Sequence, residues 1–173
     1  SDTGDAVTHD IPLFEEEIDY EYRLNATVQD SDGEQAKSVE VPQEGTRTVE
    51  VAVEQQPLNQ PGDWTTASDG QEITLDLEAN PTSPSAVGEL ADTTLETSAG
   101  TVETTFEAFN AGSGTVNVTA ETENDDGTTA NTTAGEQAQI EVFGTATITG
   151  DIVNDNSENI VNATVELYET ADT

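Results

Sequence analysis

From Ile18 onward, apolar and polar side chains alternate with a period of two. Ile18, Tyr20, Tyr22, Leu24, Ala26 and Val28 interleave with Asp19, Glu21, Arg23, Asn25, Thr27 and Gln29. Such a run predicts a strand with one face on a core. The turn Asp30-Ser31-Asp32-Gly33 ends it, and a short strand through Val39 and Val41 stops at Pro42. Val49, Val51 and Val53 then alternate with Glu50, Ala52 and Glu54. Beyond a loop holding Pro57, Pro61 and Gly62, Ile73, Leu75 and Leu77 alternate with Glu72, Thr74, Asp76 and Glu78. Residues 81–91 are turn-rich. Further strands are expected at 93–97, 101–109, 114–121, 137–143, 145–152 and 160–168.

No segment of helical length carries a helical stripe; residues 13–18 (LFEEEI) make one turn at most. Many short strands punctuated by Gly, Asn and Asp predict an all-β, antiparallel sandwich, not a barrel or an α/β fold. The expected organisation is an extended N-terminal segment (1–17), a sandwich (18–143) and a C-terminal strand pair (144–173). In the last unit Ala146, Ile148 and Ile152 form one apolar stripe and Ala163, Val165 and Leu167 another. A two-stranded ribbon cannot bury such faces alone, and its edges are open templates. Either the sandwich accepts it, or a neighbouring chain or further sequence completes it. Strand addition between copies or to other surface proteins is therefore the expected mode of partnership. Residues 8–18, with Ile11, Leu13 and Phe14, are the candidate donor.

Charge changes the picture most. The 173 residues hold 37 Asp and Glu against three basic side chains (Arg23, Lys37 and Arg47), a formal net charge of −34. Low hydrophobicity with high charge is a route to disorder. Here the acids alternate with Val, Ile, Leu and Phe, and 32% of residues are hydrophobic, so the acids belong to the exterior of a folded chain. On a sphere of about 20 Å radius in water this charge carries a self-repulsion of roughly 120 kcal/mol unscreened. Screening reduces it to roughly 35 kcal/mol at a Debye length of about 8 Å and roughly 15 kcal/mol at about 3 Å. Against a stability of about 5–15 kcal/mol, concentrated salt is the solvent that suits this surface. The rival is a mesophilic acidic protein with basic partners. Nucleic acid is excluded as a direct ligand, because no basic patch exists to displace counterions from phosphates.

Two segments resemble known families. LETSAG, TVETTFEAF, GSGTVNVTAETEND and QIEVF, within residues 90–143, resemble bacterial immunoglobulin-like domains of the invasin/intimin kind. TGDIVNDNSENIVNATVELYE at 149–169 resembles the opening of a carboxypeptidase-regulatory-like β-domain. Ile160 and Val161 stand where that family carries a proline, and the chain holds two strands of it. The first resemblance implies an immunoglobulin-like sandwich. Together they imply display or adhesion modules of cell-surface proteins, here with a haloarchaeal composition.

Catalytic chemistry finds little support. His9 is alone in a polar stretch with nothing beside it to form a triad. Carboxylate pairs such as Glu15-Glu16-Glu17 and Asp125-Asp126 carry no information in a chain with this many acids. Phosphate loops, zincin helices and nucleophile elbows do not occur, and cysteine is absent. No enzyme and no organic cofactor is expected. Calcium is the metal to consider: Asp30, Asp32 and Glu34, then Asp125 and Asp126, then Asp155, sit in turns rich in hard oxygen. The same Asx and Gly residues also make tight turns for backbone reasons, and none fits the EF-hand spacing. Glycan sequons occur at Asn25, Asn117, Asn131 and Asn162; Pro81 disqualifies Asn80. Alternation places Asn25, Asn117 and Asn162 opposite the apolar face, towards solvent. Trp64 and Phe14 lie in loop-like surroundings as caps on the core.

No apolar run reaches membrane-span length, and the first residues lack a signal-peptide pattern. An exported protein would thus be represented by its processed chain or an excised part. The expected function is an extracellular structural or adhesive module of an extreme halophile, in a surface layer, filament or adhesin. The alternatives are a spike or tail-fibre domain of a halophilic virus and an accessory domain of a secreted hydrolase.

Overall fold

The computed structural model describes residues 18–80, 87–109 and 114–144. The expected N-terminal segment, the strands at 145–152 and 160–168, and His9, Phe14, Asp155 and Asn162 lie outside the described residues. The described strands are β1 (Tyr20–Gln29), β2 (Gln35–Ala36), β3 (Ser38–Pro42), β4 (Thr46–Pro57), β5 (Thr65–Thr66) and β6 (Glu72–Asn80). They continue with β7 (Gly88–Leu90), β8 (Thr94–Glu96), β9 (Thr101–Ala108), β10 (Gly114–Glu123), β11 (Thr129–Asn131) and β12 (Ala138–Phe143).

Two sheets face each other. One has the order β2-β1-β4-β9-β7, with β5 beside β4; the other has β3-β12-β10-β6-β8, with β11 beside β10. The chain is an immunoglobulin-like β-sandwich. Its first strand is divided between the sheets: β1 pairs antiparallel with β4, and β3 pairs parallel with β12. That parallel pair is the one departure from an antiparallel arrangement among the described strands. Parallel neighbours need a long connection, and almost the whole sandwich lies between β3 and β12.

Alternation fixes what lies between the sheets. Leu24, Ala26 and Val28 of β1, Val49, Val51 and Val53 of β4, and Val102 and Phe106 of β9 face Ile73, Leu75, Val116, Val118, Ile140 and Val142. β-branched side chains dominate because they suit a pleated, half-buried surface. Gly88 is required where β7 crosses β9: a Cβ there would lie 2.5 Å from both Phe106 Cζ and the Glu107 carbonyl oxygen. The buried threonine hydroxyls are paired, as burial demands. Thr97 Oγ1 donates to the Ser68 carbonyl (2.6 Å), and Thr122 Oγ1 to the Glu72 carbonyl (2.7 Å). Thr132 Oγ1 accepts the Ala120 N–H at 3.1 Å.

The first half of β1 departs from the alternation. Ile18 is 55% exposed, and Tyr20 and Tyr22 are only partly buried. Their outward N–H groups explain it: Tyr20 donates to Asp125 Oδ2 (2.7 Å) and Tyr22 to Asn124 Oδ1 (2.8 Å), in the turn between β10 and β11. Further along the same edge, Ala26 N–H reaches the Glu136 carbonyl at 2.7 Å. The outer edge of β1 is thus closed by loops of the opposite sheet. The other sheet margins are short, two residues in β2 and three each in β7 and β8. β3 carries Pro42 at its end, which has no N–H to offer.

Candidate functional site

The carboxylate-rich turns are the first candidate. Asp30 Oδ1 accepts the N–H groups of Asp32 (2.9 Å) and Glu34 (3.0 Å), closing the hairpin from β1 to β2. Asp126 Oδ1 accepts from Thr128 Oγ1 (2.6 Å) and the Thr128 N–H (2.9 Å). Those hydrogen bonds hold the Asp126 carboxyl below the usual carboxylate range. Asp125 accepts from Tyr20, as described. β1 is 10 residues long, so the Asp30 and Asp125 turns lie at opposite ends of a strand about 33 Å in length. The structure does not bring them together. Among the described residues no group of three or more His, Cys, Asp or Glu is arranged to hold a metal ion.

The basic side chains come next, because only three serve 37 acids. Arg23 Nε donates to Glu54 Oε2 at 2.5 Å, and its guanidinium lies 4.8 Å from the Trp64 ring centre. Trp64 is therefore held on the outer face of a sheet; it is not a cap on the core. Lys37 Nζ donates to Asn25 Oδ1 (2.7 Å), the Ala26 carbonyl (2.6 Å) and the Glu136 carbonyl (2.8 Å). Desolvation lowers the Lys37 pKa, and the Glu136 charge opposes that. Arg47 crosses from β4 to the other sheet, donating to the Thr46 (2.8 Å) and Glu40 (3.4 Å) carbonyls. Each basic side chain is committed to the fold itself. Lys37 pins the point where the chain leaves one sheet for the other, a role that no sequence pattern signals.

The acids face one another. Strand register places Glu50 opposite Glu103 and Glu89 opposite Glu107 on one sheet. On the other it places Glu72 opposite Glu96 and Glu40 opposite Glu141. Arg23 opposite Glu54 is the oppositely charged counterpart. Directly opposed residues have Cβ atoms about 4.5–5.5 Å apart, and like charges there destabilise a sheet.

The sequons sort by face. Asn25 is exposed on the outer face of the β1–β4 sheet, its carboxamide oxygen held by Lys37. Asn117 lies on the outer face of the other sheet, between Glu78 of β6 and Gln139 of β12. Asn131 is exposed and sits opposite Glu121, which shares that face with Asn117. A shallow groove of about 450 Å³ runs beside Asn131, lined by Thr74, Asp76, Thr119 and Gln137. A second, of about 350 Å³, runs beside Asn117, lined by Ser38, Gly135, Gln137 and Gln139. Gln137 borders both.

No family model matches this chain, and no curated protein matches it. Among solved structures it is similar to the ASH / PapD-like domain of human CEP192 (PapD-like domain 7), at 10% identity and a TM-score of 0.39, over 84% of this chain and all of that one (100%). At that distance the likeness says nothing about ligand, partner or activity.

Proposed function

We propose that the chain is an extracellular, non-enzymatic structural or adhesive module that works in concentrated salt, as part of a surface layer, filament or adhesin. The observation that carries this reading is the set of opposed glutamate pairs, Glu50–Glu103, Glu89–Glu107, Glu72–Glu96 and Glu40–Glu141. Two carboxylates about 6 Å apart repel by roughly 0.7 kcal/mol in water of low ionic strength. Four such pairs sum to about 3 kcal/mol, a large part of a stability of about 5–15 kcal/mol. At a Debye length of about 3 Å, near molar salt, the same repulsion falls to about a tenth. A surface with these pairs, and with only three cations, each engaged by the fold's own acceptors, suits a solvent that supplies the counterions.

A mechanical or recognitional role suits the rest of the molecule. The sheet margins are short, closed or proline-ended, which limits pairing through the sandwich itself. Assembly in this reading runs through the terminal segments, as strand donors to a neighbouring copy or another surface protein. Thermal unfolding followed by circular dichroism in NaCl or KCl, from about 0.1 M to about 4 M, tests the salt reading. The midpoint should rise throughout; a flat or falling midpoint overturns it.

A further inference from the structure

We infer that Asn117 and Asn131 form a paired N-glycan site on the outer face of the β6–β10–β12 sheet. The inference rests on the extracellular reading above, since sequon modification belongs to exported surfaces. Both asparagines head an N-x-T sequon, Asn117-Val118-Thr119 and Asn131-Thr132-Thr133. Val118 and Thr132 are buried, so the alternation turns each asparagine and its threonine outward together. Asn117 and Glu121 are four residues apart on β10, about 13 Å at a rise of about 3.3 Å. Asn131 stands one strand beyond Glu121, a further ~4.8 Å across the sheet. That spacing lets two sugar chains rise from one face without sharing the same volume.

Each asparagine also borders a groove, of about 450 Å³ at Asn131 and about 350 Å³ at Asn117. Both fall in the ~300–1,000 Å³ range of small-molecule sites. Their walls are hydroxyl, amide and carboxylate groups (Thr74, Asp76, Thr119, Gln137 and Gln139), hydrogen-bond partners for the first sugars of each chain. Asn25 is different: it lies on the opposite sheet, and its carboxamide oxygen fastens Lys37.

In the modification, the asparagine Nδ2 forms a bond to C1 of a sugar carried on a phosphate of a lipid-linked donor. The bond from C1 to the phosphate oxygen breaks, the phosphate leaves, and one Nδ2 proton passes to solvent. The test is glycopeptide and intact-mass spectrometry of the full chain, exported by a salt-requiring host that N-glycosylates a control protein. The expected mass lies above the bare 18.2 kDa, with sugar on the peptides holding Asn117 and Asn131. Asn131→Gln and Thr133→Ala should each remove the second sugar chain only, and Asn117→Gln the first only. Thr133→Ala keeps the asparagine and serves if the Gln variant fails to fold. An exported chain bare at both positions, beside a modified control, overturns the inference. The salt-dependent midpoint is measured on unmodified chain, so that outcome leaves the salt reading standing.

Discussion

The guanidinium of Arg23 is shared between Glu54 and Trp64: its Nε donates to the Glu54 carboxylate, and its plane lies 4.8 Å from the indole centre. This contact fastens the loop between β4 and β5 onto the outer face of β1. Both partners of the ion pair are substantially exposed, at 47% and 40%, so solvent screens the pair strongly. Arg23→Ala should shift Trp64 fluorescence to longer wavelength and lower the urea midpoint only slightly. Phe106→Ala, in the fully buried core, should by contrast cost about 3–5 kcal/mol. An Arg23→Ala chain whose tryptophan emission is unchanged would show that the loop is held by something else.

The opposed glutamates give a sharper test of the salt dependence than the parent chain does. Replacing one member of each pair, as Glu40→Gln, Glu72→Gln, Glu89→Gln and Glu103→Gln together, removes four repulsive contacts and keeps side-chain size. The variant should gain about 1.5 kcal/mol at ~0.1 M salt and less than ~0.1 kcal/mol at ~4 M. Equal gains at both salts would mean the gain is not electrostatic.

For the Asp30 turn, amide capping and calcium binding predict different mutants. Asp30→Asn retains the Oδ1 that accepts from Asp32 and Glu34, so its stability should stay close to the parent's. Asp30→Ala should lose about 1 kcal/mol. If a calcium ion held the turn, Asp30→Asn would lose as much as Asp30→Ala, and a chelator would reproduce the loss in the parent chain. Urea denaturation with and without calcium distinguishes the two.

The Glu136 carboxyl is held below its ordinary range, first by the Thr133 N–H, which donates to Oε2 at 2.7 Å, with the Lys37 charge a lesser cause. A depressed carboxylate contributes stability that is complete above its unfolded pKa and is lost as pH falls through the folded one. The stability advantage of the parent over Glu136→Gln should therefore be constant at neutral pH and shrink below about pH 4. Denaturant midpoints of both chains across that window provide the measurement; an advantage that grows on acidification contradicts the assignment.

Much of the fold was legible from period-two alternation alone. In β4 the register of Val49, Val51 and Val53 against Glu50, Ala52 and Glu54 admits one buried face, and the same holds for Ile73, Leu75 and Leu77. The two-residue strands β2 and β5, and the three-residue β7 and β11, were not legible. Such strands are too short for any periodicity and exist only because a longer neighbour supplies the partner edge. Tyr20 and Tyr22 continue the pattern of Leu24 yet lie partly exposed, because β1 runs beyond the core to meet the turn at Asn124 and Asp125.

The sequence by itself determined the sandwich class, the acidic exterior and the outward facing of Asn25 and Asn117, since alternation and charge are local properties of the chain. Which glutamate faces which, and that Asn131 shares a sheet face with Asn117, were decided only by strand register between segments far apart in the chain. The same holds for the three cations. Nothing about Lys37 in its own neighbourhood marks it as a clasp. Its ammonium reaches Glu136, 99 residues away, only because folding brings the bend between the two sheets against that loop, where three oxygen acceptors replace its water.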